Sequence, residues 1–384
     1  MKAFLDSVAA YLLETRGKGL SETCMVFPNR RSGLFFNRYL AARTPQTMWA
    51  PRVITINELM QELSGLETAD PLDILFDLYG LYRNQTGSPE TFDEFYHWGE
   101  VMVSDFDTID KYLVDAGMLF SNITDLKEID ERFGGLEPEQ VEFIRRFWEH
   151  FHIGGESREK ELFLSTWKML PTLYRQLWRS LEQTGTGYEG MIYRQVAETT
   201  MERLDEKLKN SAYIFAGFNA LSHAERRLMR KMQKKGVATF FWDYDVQYLN
   251  DAKTEAGRFI RENLAEFPPP EDLQEFSNLE RQRSIRIFDL PTDILQAKTV
   301  HRILSRRQEP IEEVNDTAII ACDEELLMPL VVSLPEQVEK VNITMGYPFH
   351  HTPLFSMVDQ VLGMQVNARR QETGKVRFYY RDVL

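Results

Sequence analysis

The sequence predicts an α/β protein built on a parallel sheet, and three observations carry that prediction. An apolar run, Ala212 to Ala216, ends at Gly217; a polar turn leads into a helix from Ser222 to Lys235, and a second apolar run, Val237 to Trp242, follows. Strand, helix and strand in that order make a parallel unit, because the crossover helix returns the chain to the same end of the sheet. The same rhythm stands near the N-terminus: Cys24 to Phe27 is broken by Pro28-Asn29, a helix runs from Ser32 to Ala42, and a short strand covers Val53 to Ile56. Between these two pairs lie roughly 150 residues that read almost entirely as helix, too long for a crossover and therefore an inserted helical subdomain.

Each element has a local cause. Apolar residues at helical spacing open the chain with a helix over about residues 2–15. Pro28 cannot donate to a ladder and ends the first strand, while Asn57, a good N-cap residue, opens the helix after the second. In the insertion, Phe92, Phe95, Tyr96, Gly99, Met102, Val103 and Phe106 recur at three and four, with breaks at Gly87-Ser88-Pro89, Gly134-Gly135, Gly154-Gly155 and Thr184 to Gly187. Phe267-Pro-Pro-Pro270 and the polar residues after it form a linker. Beyond it a second α/β pattern is predicted: strand Ser284 to Asp289, helix Leu295 to Arg307, strand Thr317 to Cys322, helix Glu324 to Ser333 and strand Val341 to Met345. The expected domains are residues 1–60 with 210–268, a helical subdomain over 61–209, a linker at 269–283, and an incomplete second α/β domain over 284–384. The chain stops just after Arg377-Phe-Tyr-Tyr380 with no capping or turn signal, which points to a piece of a longer protein.

Composition narrows the class. An apolar fraction of 43% with 12% aromatics supports packed cores. Cys24 and Cys322 are the only cysteines, which excludes a disulfide framework or a Cys-rich zinc module and fits a reducing compartment. Met1 to Thr15 contains Asp6 and Glu14 and lacks the apolar core of a signal peptide, and no run nears the ~18 apolar residues of a membrane span. A cytoplasmic protein without membrane contact is expected. The net charge of −14 argues against a uniformly basic nucleic-acid binder. The charge is unevenly distributed, however. Thr23 to Asn57 holds five arginines (Arg30, Arg31, Arg38, Arg43 and Arg52) and no acid, whereas Glu67 to Glu142 holds 19 acids against four bases. Screening confines such fields to about 8 Å, so a local basic face can hold phosphates on an acidic protein.

Several residues have a chemical and a bland reading. Asn29, Arg30 and Arg31 sit in the turn after the first strand, where arginines ahead of a helix suit a phosphate backbone or are simply solvated. Arg226, Arg227, Arg230, Lys231, Lys234 and Lys235 crowd one helix; a solvated helix face is the plainer alternative to a basic track. Asp243 and Asp245 follow an apolar run as metal ligands or turn formers, and with no Gly-x-x-x-x-Gly-Lys-Ser/Thr in the chain the turn reading is favoured. Ala216 and Gly217 stand where a phosphate-hydrolysing enzyme needs an Asp-Glu pair for Mg²⁺ and water. The histidines, His150, His152, His350 and His351 included, show no metal spacing. The acidic segment around Asp105, Asp107 and Asp110 is either a dock for a basic partner or the charged outer face of packed helices.

Taken in order, these motifs resemble the N-terminal half of the AddB family, the helicase-like, nuclease-bearing subunits of AddAB-type recombination machines. Val26 to Phe36 is similar to the family's opening strand and loop, the counterpart of the superfamily 1 helicase motif that touches single-stranded DNA. Pro51 to Leu59 is similar to its next strand and helix, and Trp98 to Asp110 to its helical insertion. Ile214 to Glu225 lies where UvrD-like helicases carry the acidic Walker B segment, and Asp243 to Tyr248 where the next motif carries Gly-Asp and Gln-x-x-Tyr. Val341 to Phe349, with Thr352 to Leu354, is similar to the start of the second motor-like domain. The resemblance implies a RecA-like, P-loop NTPase-type sheet with Asn29, Arg30, Arg31, Arg38 and Asn57 on DNA. It leaves Ala216, Gly217, Phe218, Asn219, Glu225, Asp243, Asp245, Gln247 and Tyr248 as degenerate motor positions. It further implies a non-hydrolysing guide for single-stranded or end-containing DNA in double-strand break repair, needing no cofactor and paired with an AddA-like motor subunit. The family's phosphate-binding loop, which some members keep, and its C-terminal PD-(D/E)xK nuclease are not in these residues. The competing expectation is an interaction scaffold that docks partners on the acidic helices without touching DNA.

Overall fold

The computed structural model describes residues 3–44, 47–121, 157–250, 253–270, 277–280, 284–306, 317–370 and 375–383. The predicted breaks at Gly134-Gly135 and Gly154-Gly155, His150 and His152, and parts of the linker lie outside those residues. The chain divides into two compact units, Met1–Gln282 and Arg283–Leu384.

The first unit is α/β. Four strands, β1 (Thr23–Phe27), β2 (Arg52–Thr55), β5 (Ala212–Ala216) and β6 (Ala238–Phe241), form a parallel sheet in the order β2-β1-β5-β6. The register sets Val26 beside Ile54 on one side and Phe215 on the other. β1 and β5 are buried at every position, which is why both read as unbroken apolar runs. Their alternate residues divide between two cores. Met25, Phe27, Ile214, Ala216 and Phe241 face Phe4, Val8 and Leu12 of α1 (Phe4–Arg16) and Phe36 and Leu40 of α2 (Arg30–Arg43). Cys24, Val26, Tyr213, Phe215 and Phe240 face α3 (Ile56–Ser64) and, later in the chain, helices returning from the insertion. Right-handed crossovers explain the split: β1 to β2 steps one way along the sheet and β5 to β6 the other, so their connecting helices fall on opposite faces. Burial pushes the Cys24 thiol up to about 12, so it is an inert core residue.

Between β2 and β5 the chain forms α4 (Pro71–Thr86), α5 (Phe92–Lys111), α6 (Ala116–Ser121), α7 (Ser157–Thr184), α8 (Glu189–Glu198) and α9 (Met201–Lys207). The sequence predicts helix alone here, yet β3 (Glu67–Thr68) and β4 (Thr186–Gly187) pair in parallel for two residues and tie the start of the insertion to its return. Gly190 sets the crossing of α5 and α8. Its N–H meets Asp107 Oδ1 at 2.6 Å, and a Cβ there would lie 2.2 Å from the Asp107 carbonyl oxygen. At the centre, Asp110 is fully buried and gathers Tyr174, Trp178, Tyr188 and Arg194 around one carboxylate.

The half-buried Asp105 of α5 contrasts with it. Burial alone pushes its carboxyl up to about 7. An unfolded aspartate titrates near ~4, so the folded state binds the extra proton between those values and stability falls as pH rises through that window. Asp105→Asn should flatten this slope and raise stability at pH 8 by about 1–2 kcal/mol after allowance for solvent screening. Urea melts of parent and variant check it: identical pH dependence in the two proteins contradicts the assignment.

After β5 come α10 (His223–Lys234), β6, the single turn α11 (Gln247–Asn250) and α12 (Arg258–Glu266). The cationic face of α10 is solvated as expected at Arg227, Arg230, Lys234 and Lys235, and several of its cations also reach neighbouring elements. Arg226 and Arg230 clasp Glu266, Lys235 pairs with Asp205, and Lys231 donates to the Ala197 and Thr199 carbonyls at the end of α8. Four of the six cations thus staple α10 to its neighbours, including bare carbonyls at a helix C-terminus.

The second unit holds α13 (Asp293–Ser305), α14 (Leu327–Val332), α15 (Pro353–Val366) and α16 (Tyr380–Val383), with a short antiparallel pair, β7 (Arg369–Arg370) and β8 (Val376–Arg377). The strands predicted at Ser284–Asp289, Thr317–Cys322 and Val341–Met345 do not form ladders. A strand needs a hydrogen-bonded neighbour and an apolar layer over its face. Here Ile287 and Ile320 remain 92% and 86% exposed, so the β-branched runs lack that cover. Among the described residues no helix is long and apolar enough to cross a membrane.

Candidate nucleic-acid interface

In an open parallel sheet, ligands gather outside the carboxyl ends of the strands where the strand order reverses. In this sheet the reversal lies between β1 and β5, since the chain leaves β1 toward β2 and later returns on its other side. The residues at those two strand ends are Asn29, Arg30 and Arg31 on one side and Gly217, Phe218 and Asn219 on the other. Of the sequence-predicted positions, Asn29, Arg30 and Arg31 are thus brought to the same edge as Ala216, Gly217, Phe218 and Asn219. Arg38 lies further along α2, and Asn57, Glu225 and the residues from Asp243 to Tyr248 lie on other elements.

The β1 side is cationic. Asn29 is the N-cap of α2, its Oδ1 accepting the Ser32 N–H at 3.0 Å, so the helix begins at Arg30. The expected turn is therefore shorter, and both arginines stand on the first helical turn. Cations are disfavoured there because the helix dipole is positive at that end. One is compensated: Arg30 Nη2 pairs with Glu58 Oε1 at 2.8 Å while its side chain stays 83% exposed. The Thr55 backbone N–H, followed by Arg30, holds the Glu58 carboxyl below its usual range. Arg31 is exposed and, among the described residues, makes no ion pair or hydrogen bond. An anion lying against the α2 N-terminus would meet free backbone N–H groups and two guanidinium groups together.

The β5 side is chemically silent. Ala216 is fully buried against the α1 side of the sheet, and Phe218 is buried beside Phe215. Gly217 has φ +77°, and its N–H donates to the Phe241 carbonyl at 3.1 Å, so the turn is built into the sheet. A Cβ at Gly217 would touch the Phe4 ring at 3.8 Å, so the floor at this edge is apolar. The Asn219 carbonyl accepts from the buried Asn263 side chain at 2.6 Å. Glu225 folds back as the capping-box partner of Ser222, and burial raises its carboxyl above the usual range. Past β6, Asp245 uses one oxygen to accept the Gln247 N–H and the other to accept the Leu279 N–H, a turn-forming arrangement that pins the segment after the triple proline. Asp243 and Tyr248 are exposed, and Gln247 opens a four-residue helix. Among the described residues no three His, Cys, Asp or Glu side chains are grouped to hold a metal ion.

Asn57 lies elsewhere in purpose. The N-cap of α3 is Thr55, closed by a reciprocal capping box with Glu58, because a β-branched hydroxyl two residues earlier reaches the free N–H groups first. Asn57 sits inside α3, where its Nδ2 donates to Glu189 at 3.3 Å and its Oδ1 accepts from the Tyr193 hydroxyl. Lys111 bridges Glu189 and Asp107 at 2.8 Å each; burial pulls its pKa down, but the two carboxylates outweigh it and the net shift is upward. This polar chain joins the helical insertion to the carboxyl edge of the sheet, and both ends of Asn57 are committed to it.

Sequence reasoning passed over Leu34 and Phe35. On α2 the buried residues Gly33, Phe36 and Leu40 define the sheet-facing side. Arg31, Leu34, Phe35 and Arg38, at i, i+3, i+4 and i+7, share the opposite side and are all exposed. Sorting the run from Gly33 to Leu40 by a 3.6-residue period would have separated the two sets.

No protein-family model matches this chain, and no curated protein matches it.

Proposed function

We propose that the first unit is a RecA-like, helicase-shaped body that binds and guides single-stranded DNA without turning over nucleotide. In this reading it is the N-terminal part of an AddB-type subunit working beside a motor partner. The observation that carries it is the pairing of two chemically unlike strand ends at one switch point: a helix N-terminus bearing Arg30 and Arg31, and an apolar β5 turn with Ala216 and Gly217 in place of acids. Phosphoryl transfer depends on positioned charge, namely a phosphate-loop lysine, a metal and acids to hold it. A cationic helix end needs none of these to hold a phosphate backbone, and it does so without reading bases. Arg38 extends the same acid-free face of α2, whereas Asn57 acts as an internal joint.

A labelled single-stranded oligonucleotide should bind at low salt and dissociate as salt rises. A chain that ignores the oligonucleotide at low salt leaves the interaction scaffold as the better account. ATP with Mg²⁺ should leave the melting temperature unchanged. A true nucleotide binder at a hundred times its Kd would gain about 2.7 kcal/mol, a shift of a few degrees. A clear shift, or hydrolysis stimulated by DNA, would contradict the loss of motor chemistry.

A further inference from the structure

We infer that the outer face of α2 is a base-stacking subsite, with Phe35 as the platform and Arg31 and Arg38 on the flanking phosphates; this rests on the single-strand guide proposed above. Leu34 and Phe35 are 70% and 40% exposed, an apolar pair left on the side of the helix that turns away from its core. Arg31 stands one turn before them and Arg38 one turn after. No acid occurs between Thr23 and Asn57, in a chain whose net charge is −14. A single strand matches the chemistry of this exposed stripe: phosphates for the guanidinium groups and π-faces for the phenyl ring. Stacking of bases on aromatic side chains between cations is how sequence-blind single-strand grooves hold bases. Arg30 lies to one side of the stripe, held by Glu58, so backbone contact at the helix end and base contact along its face are separable.

The test compares a labelled oligothymidylate with an abasic strand of the same length, on the parent chain, Phe35→Leu and Phe35→Trp. Leucine keeps apolar bulk at an exposed position and removes only the π-face, so folding is preserved. The parent should prefer the base-bearing strand by roughly five- to a hundredfold, the range expected for one stacked base. Phe35→Leu should lose that preference while keeping the salt dependence of the parent, and Phe35→Trp should retain it. Equal binding of both strands by the parent, or an undiminished preference in Phe35→Leu, overturns the stacking subsite and leaves the guide intact. Failure of the parent to bind either strand at low salt overturns both.

Discussion

Asp110→Ala should destabilise the first unit by about 3–5 kcal/mol, the largest stability effect expected of any single substitution described here. The carboxylate is fully buried. Its Oδ1 accepts from the Tyr174 hydroxyl and from Arg194 Nη1 at 3.0 Å, and its Oδ2 accepts from the Tyr188 hydroxyl at 2.5 Å and from Trp178 Nε1 at 3.3 Å. Burial raises the Asp110 carboxyl above its usual range, against the downward pull of the two phenols and the guanidinium. The four groups aimed at its oxygens are all donors, which a carboxylate accepts. Removing the carboxylate strands three donors and a mostly buried guanidinium, which among the described residues retains Glu198 at 3.0 Å and the Val114 carbonyl at 2.8 Å. Stranded charge is what makes the loss large, as truncation of one partner costs more than the pair is worth. A second substitution, Arg194→Met, should therefore recover part of the loss instead of adding to it. Denaturant melts of the two single variants and the double variant read this directly. A loss below about 1 kcal/mol for Asp110→Ala would mean that the network is not formed.

The same residue shows where sequence reading stops. Asp110 belongs to an acidic run whose members look alike in sequence, yet its partners come from α7, α8 and the turn before α8, 64 to 84 residues away. Charge counting cannot separate a buried hub from a solvated face. The solvated cations of α10 were legible, but their partners were not, since Glu266 and the α8 carbonyls arrive from other elements. By contrast β5 was legible to the residue, because a strand covered on both faces must be apolar at each position and Gly217 closes it with a positive φ. The starts of α2 and α3 were legible only to within two residues, as α2 begins at Arg30 and not Ser32, and Thr55 holds the cap expected of Asn57. The strands predicted after residue 283 show the complementary failure: a β-branched run looks the same whether or not a neighbour pairs with it. For the interface, the missing acids at Ala216 and Gly217 and the arginines after β1 were visible in the sequence. The commitment of Asn57 to Tyr193 and Glu189, and the exposure of Phe35, were not.

Arg30→Ala/Arg31→Ala is the most direct probe of the polynucleotide backbone proposed to lie on the β1–α2 edge. Both side chains are exposed cations on a helix N-terminus, where alanine suits the dipole better, so the variant should fold as the parent does. Single-strand affinity, followed by fluorescence anisotropy across a salt series, should drop on the order of tenfold to a hundredfold at low salt. The slope of log K against log salt should become shallower by about 1.4, the counterion release of two phosphate contacts on a single strand. An unchanged affinity and an unchanged slope in a folded variant would contradict the account.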